Sequence, residues 1–101
     1  MIYHFADPLA WEKALDSGYY KPSSLKTDGF IHCCFENQLA DVARRHFPGQ
    51  SDLLTLHIVE RRIRPIYKED YVQAVGQTFP HIYGPLSILA VHDVSIFRPE
   101  D

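Results

Sequence analysis

Every segment with helical spacing lies in the first half of this chain. Residues 8–16 place Trp11, Ala14 and Leu15 on one side at three- and four-residue intervals, and residues 36–47 do the same with Leu39, Val42, Ala43 and Phe47. Beyond Pro48-Gly49 the apolar residues alternate or stand in short runs, and no helical stretch separates one strand candidate from the next. Parallel strands need a crossover between them, usually a helix. The order strand, helix, loop, strand, helix and then strands alone therefore disfavours a doubly wound parallel sheet. It predicts an α+β fold, with mixed or mainly antiparallel β-sheets packed against two helices.

The individual elements follow from local chemistry. Residues 2–5 read as a short strand that runs into the first helix, where Asp7 suits the N-cap, Pro8 the first turn and Gly18 the end. Tyr19 to Asp28 is turn-rich and aromatic, a shaped loop before a strand over residues 30–34. Arg44 and Arg45 suit the negative end of the second helix, which Pro48-Gly49 closes. Residues 53–59 alternate, with Leu54, Leu56 and Ile58 on a buried face and Thr55 and a surface His57 on the other. Residues 64–67 and 71–75 are weaker strand candidates. Residues 88–97 make one strand bent near His92-Asp93 or two short ones. The predicted core is Trp11, Leu15, Leu39, Val42, Phe47, Leu54, Leu56 and Ile58.

With 101 residues the chain has room for one core, so a single domain over residues 1–101 is expected. A formal charge of -3 counts against a dedicated nucleic-acid binder, which carries a strongly basic face. Arg44, Arg45 and His46 make a phosphate-binding patch with Arg61, Arg62 and Arg64 only if the two segments meet; otherwise they are a solvated helix end and a loop. Cys33 and Cys34 are adjacent, and in a strand they point to opposite faces, so a bridge between them is strained and free thiols are expected. Free thiols, with no charged-then-apolar leader, point to a cytoplasmic location. The apolar runs fall far short of the roughly 20 residues that cross a bilayer, so no membrane partner is expected. The pattern leaves the oligomeric state open.

Three of the six histidines stand where sites are built. His4 is on the first strand, just before a helix; His32 is on a strand that also precedes a helix; His81 is held between Pro80 and the Tyr83-Gly84-Pro85 turn. Each alone reads equally as a hydrogen-bonded structural histidine. Together they suggest convergence on one concave site, because a period of two gives each strand one polar position facing a cleft. A zinc site built from His32, Cys33 and Cys34 has the wrong spacing, since alternation sends neighbours to opposite faces, and no metal is predicted. A cysteine nucleophile beside His32 is the other reactive option, although buried strand cysteines are inert. The sequence contains neither a glycine-rich phosphate loop nor a Gly-x-Ser-x-Gly turn.

The stretches Ile2-Tyr3-His4, Trp11, Gly18-Tyr19, Ser24-Leu25, Gly29-Phe30-Ile31-His32-Cys33, Gln38-Leu39 and Phe79-Pro80-His81-Ile82-Tyr83-Gly84-Pro85-Leu86 carry a family resemblance over nearly the whole chain. The chain resembles the uncharacterised domain-of-unknown-function family numbered 952 (DUF952). That family is in turn similar to the ADP-ribosyltransferase superfamily, especially the NAD-using tRNA 2′-phosphotransferases. The parts that match are Tyr3-His4, the helix through Trp11, Gly18, residues 30–34, the helix through Ala43 and residues 53–59. The resemblance implies an ADP-ribosyltransferase-like pair of split antiparallel sheets holding an NAD cleft. It departs from the phosphotransferases at Asp28-Gly29-Phe30, where they carry an arginine, and in the absence of a basic RNA-recruiting domain, so a tRNA-phosphate reaction is not expected. The superfamily's late catalytic glutamate has no clear counterpart, because residues 79–83 occupy much of that region.

Breaking an N-glycosidic bond builds positive charge on a ribose, which calls for hydroxyl-binding donors, an aromatic face for the base and a carboxylate near the cation. His4 with Ser24 would supply the donors, Tyr20 or Tyr83 the aromatic face and Glu69 the carboxylate, while His32 or His81 would bind phosphate or shuttle protons. Glu69 reads equally as a solvated charge beside Lys68 and Asp70. Two functions follow. One is a transferase or glycohydrolase acting on NAD or an ADP-ribosyl compound. The other is a non-catalytic domain, with structural histidines, that binds a small nucleotide or a protein.

Overall fold

The computed structural model describes residues 1–99. Its strands are β1 (Ile2–Phe5), β2 (Tyr19–Tyr20), β3 (Ile31–His32), β4 (Leu53–Ile58), β5 (Tyr67–Val72), β6 (Gln77–Ile82), β7 (Leu86–Ser87) and β8 (Val91–Phe97). The helices are α1 (Pro8–Ser17), α2 (Ser24–Thr27) and α3 (Leu39–His46), with 3-10 turns at Glu36–Gln38, Glu60–Arg62, Arg64–Ile66 and Ile88–Ala90. All strand pairs are antiparallel, in three sheets ordered β1-β4-β8, β2-β7 and β3-β6-β5. The α+β class is as expected, with one sheet more than the resemblance implies and one helical turn more than the pattern predicts. Two-residue strands and a one-turn helix carry no periodicity, so β2, β7 and α2 leave no signature.

In the largest sheet, strands β1 and β4 are buried on both faces. Cross-strand neighbours share a face, and Ile2 opposite Ile58 and His4 opposite Leu56 turn toward a core that also takes Tyr20, Ile31, Ile82, Leu86 and Ala90 from the other sheets and their connections. The reverse face carries Phe5 and Leu53, which pack with Ala43 of α3 and with Leu39, Val42, Phe47 and Phe97. Central strand β4 thus buries Thr55 as well as Leu56, and the Thr55 hydroxyl donates to the Leu53 carbonyl, 2.9 Å away. His57 is half-buried rather than at the surface: its Nε2 is 2.7 Å from Ser95 Oγ, and its ring meets Tyr3 edge-on.

Helix α1 begins and ends as its sequence dictates. Asp7 accepts from the Ala10 amide, and Gly18, at a φ of 88° that favours glycine, donates to the Ala14 carbonyl at 2.7 Å. Ala14 is fully buried and Ala10 and Trp11 pack half-buried beside it, but Leu15 is 57% exposed. Leu15 therefore leaves the predicted core. One residue past Ala14 turns about 100° around the helix, off the face set by positions 10, 11 and 14.

The second-half strands differ most from expectation. The weak candidates at 64–67 and 71–75 are one strand, β5, preceded by a 3-10 turn, and its partner β6 runs through Pro80. Proline is unusual in a middle strand because it lacks a ladder donor. Here the Pro80 carbonyl accepts from the Cys33 amide, and N and C=O of one residue point to the same side, so the missing donor faces the spot where β3 has ended. Pairing with β5 loses nothing. Gly76, at φ 74°, turns the hairpin and donates to the Val72 carbonyl. The strand expected over residues 30–34 is shorter, with Ile31–His32 in the sheet and Cys34 bridged to Tyr3 of β1.

Leu56 is fully buried in the central strand, so Leu56→Ala should cost about 2 to 5 kcal/mol. Leu15→Ala should stay within about half a kcal/mol of wild type, as an exposed substitution does. Urea denaturation followed by far-ultraviolet circular dichroism checks both values.

Candidate functional site

The register of the β3-β6-β5 sheet brings its polar side chains together. His32 pairs with His81, and His81 pairs with Lys68, so the three share one face, and Asp70 joins them two residues along β5. The His81 ring stacks on Phe30, with centroids 4.0 Å apart and planes 25° from parallel, and lies 5.7 Å from the His32 ring. Tyr83 closes the cluster beside Phe30 at 5.3 Å, with the Lys68 ammonium 5.7 Å from its ring centroid.

Each imidazole is held by its own carboxylate. His81 Nδ1 is 2.8 Å from Asp70 Oδ2, and the Tyr83 hydroxyl donates to that oxygen at 2.5 Å. The Tyr83 and His81 donors hold the Asp70 carboxyl below the usual carboxylate range, and the same bond raises the Tyr83 phenol. An ionised carboxylate only accepts, so Nδ1 of His81 carries the hydrogen. No buried side-chain nitrogen or oxygen among the described residues lacks a partner, and His81 Nε2 has no protein partner, which places Nε2 in reach of solvent. His32 Nε2 is 2.7 Å from Asp28 Oδ2, and its side chain is largely exposed. Ser24 contributes from below this pair: its carbonyl accepts from the Asp28 and Gly29 amides and so fixes the turn that presents Asp28.

His4 stands apart from this face. Its ring is buried, with Nδ1 2.5 Å from the His32 carbonyl and Nε2 2.7 Å from the Tyr20 hydroxyl. A carbonyl can only accept, so Nδ1–H donates to it, and Nε2 of the neutral ring accepts from Tyr20. Burial lowers the His4 pKa to about 4 and raises that of the Tyr20 phenol. The expected convergence of three histidines is therefore corrected to two. The His4 backbone is one strand away, but its side chain points into the core with Leu56.

The other predicted residues divide between the face and the core. Tyr83 is 40% exposed within the cluster, whereas Tyr20 is 1% exposed and has no face left on which a base could stack. Glu69 is in register with Pro80, on the opposite side of β5 from His81, and accepts from the Tyr67 hydroxyl at 2.7 Å. The carboxylates that meet the histidines are Asp70 and Asp28, which no motif in the sequence marks. Alternation along β5 could have found Asp70, had the pairing with β6 been known. Arg44 and Arg45 both face Asp41, and Arg62 donates to the Leu89 carbonyl. Among the described residues no group of three or more His, Cys, Asp or Glu is arranged to hold a metal, and no helix is long and apolar enough to cross a membrane.

A model of the family described as "Protein of unknown function (DUF952)" matches residues 6–94. The chain is similar to the crystal structure of protein CC0527 from Caulobacter crescentus, with 27% identity and a TM-score of 0.83 over 94% of this chain and 83% of that one. The solution NMR structure of the same protein agrees at a TM-score of 0.77, again with 27% identity, over 93% of this chain and 81% of that one. No curated protein matches the sequence.

The depressed His4 pKa links folding to pH. The unfolded chain binds a proton at His4 below about pH 6.5 and the folded chain only below about 4, so stability is complete above 6.5 and falls as pH drops through that window. The full loss should be about 3 kcal/mol, read as a falling urea midpoint between those pH values. Tyr20→Phe leaves Nε2 of His4 without a donor and should cost about 1 to 3 kcal/mol. Both thiols are free and buried, and burial raises Cys33 well above its usual value and pushes Cys34 up to about 12. Maleimide labelling at neutral pH should therefore be slow in the folded protein and fast in urea.

Proposed function

The chain belongs to that family of proteins of unknown function, and we propose that it is a transferase or glycohydrolase acting on NAD or an ADP-ribosyl compound at the His32–His81 face. The observation that carries this is the pair of histidine–aspartate couples, 5.7 Å apart ring to ring, with an aromatic ring stacked against one of them. Such a face has what N-glycosidic chemistry needs. Phe30 and Tyr83 offer surfaces to a flat base. Asp70 takes the charge-compensating role first assigned to Glu69. As the bond from ribose to nicotinamide breaks, its electron pair leaves with the ring nitrogen, and cationic character grows on the ribose beside the Asp70 carboxylate. Water or an acceptor hydroxyl then adds to the ribose carbon, and its proton passes to Nε2 of His81, whose Nδ1–H is already held by Asp70. Antiparallel sheets are also what the ADP-ribosyltransferase resemblance implies.

One observation favours the non-catalytic alternative. His81 is only 5% exposed, but His32 and Tyr83 beside it stand open to solvent, and an open site does not exclude water from a reactive cation. Nucleotide binding without bond cleavage is the function that geometry suits.

The test is incubation with NAD, with nicotinamide release followed by chromatography and binding by calorimetry. Wild type should release nicotinamide, and His81→Gln, chosen to keep most of the volume of a side chain that is only 5% exposed, should lower the rate by about a hundredfold or more, with circular dichroism confirming that the variant is folded. Asp70→Asn should act in the same direction. Binding of NAD or ADP-ribose without release selects the non-catalytic reading. A folded protein that neither binds nor cleaves either compound rejects both.

A further inference from the structure

Two strands, β5 and β8, end a sheet on a long open side among the described residues. An open edge offers unpaired backbone donors and acceptors to any strand that meets it, and proteins defend such edges with charges, prolines or bulges. Edge β5 is defended by Lys68, Glu69 and Asp70 in succession. Edge β8 is not. In its sequence Val-His-Asp-Val-Ser-Ile-Phe the one Asp/Glu/Lys/Arg residue is Asp93. A bulge protects only its start: Ile58 pairs with Val91 and His57 with Asp93, which leaves His92 as the extra residue. From Asp93 to Phe97 the strand is regular, and Val94 and Ile96, opposite Leu56 and Leu54, are 38% and 45% exposed.

We propose that β8 pairs with the β8 of a second copy of this chain, antiparallel and centred on Ser95, so that two three-stranded sheets become one continuous sheet. The occupant follows from the edge's complementarity to itself. A two-fold axis perpendicular to a continuous sheet sets one residue opposite its own copy. Centring on Asp93 would oppose two carboxylates. Centring on Val94 would run into the bulge at His92 after one residue on each side. Centring on Ser95 uses the whole regular segment: Val94 faces the second copy's Ile96, and Ile96 its Val94, so the exposed aliphatic side chains cover one another. Each Asp93 then lies opposite Phe97 of the other copy, and the two Asp93 carboxylates stand at opposite ends of the paired segment. The Val94 amide bonds to its own Asp93 side chain at 2.8 Å, an exposed contact that a backbone carbonyl of the second copy can replace.

Sedimentation of the full chain from micromolar to millimolar concentration tests the proposal, with circular dichroism to confirm folding of each variant. Wild type should pass from monomer to dimer, and amide exchange along residues 93–97 should slow as it does. Val94→Lys, at an exposed position, should remain folded and weaken association by more than about tenfold. Adding Ile96→Glu to it should restore the dimer, because in this register the introduced lysine of one copy would face the introduced glutamate of the other, whereas a register centred on Val94 would set lysine against lysine. A wild type that is monomeric at millimolar concentration overturns the proposal. So does a dimer indifferent to Val94→Lys, or a double variant that fails to recover.

Discussion

The buried imidazole of His4 ties all three sheets together by hydrogen bonds. It stands on β1 of the largest sheet, donates to the His32 carbonyl on β3 and accepts from the Tyr20 hydroxyl on β2. Both ring nitrogens are spent within the core, on a backbone carbonyl and a buried hydroxyl. A neutral imidazole suits this position because it is donor at one nitrogen and acceptor at the other. The backbone follows the same path, since Tyr3 and Cys34 exchange amide bonds of 2.9 and 2.8 Å beside it. Without His4 the small β2-β7 ladder would lose its side-chain hydrogen bond to β1, while the end of β3 would keep the Tyr3–Cys34 bridge.

The histidine face begins beside that clamp. The His32 carbonyl lies in the plane of its sheet and reaches His4, while the His32 side chain stands perpendicular to that plane and is exposed. His81 is carried to the same face by its register with His32, and Asp70 by the β5–β6 hairpin. The site is thus assembled from three separate stretches of chain, residues 28–32, 68–70 and 81–83. Its electrostatics are local: each imidazole has a carboxylate within 2.8 Å, and Lys68 adds a cation over Tyr83.

Edge β5 and edge β8 show how different the two open sides of the molecule are. Two of the charges that protect β5, Lys68 and Asp70, also build the histidine face, so one short segment serves both solubility and site geometry. β8 carries no such double duty. Its two ends pack Val91 and Phe97 against the two hydrophobic clusters, and between them the exposed Val94 and Ile96 are aliphatic.

By itself the sequence determined the class of fold, because helical periodicity before Pro48 and alternation after it leave an α+β arrangement with mixed or mainly antiparallel sheets as the consistent solution. It also marked α1 from Asp7-Pro8 to Gly18, the buried face of β4, and His32, His81 and Tyr83 as residues worth following. Those signals are local, set by spacing, caps and turn chemistry. Only the tertiary structure decided that His4 and Tyr20 belong to the core, that Asp70 rather than Glu69 meets His81, and that Leu15 faces solvent. These depend on register and on which face a neighbour covers. A shift of one residue reverses every side chain of a strand, and no single segment of sequence records which strand lies beside it.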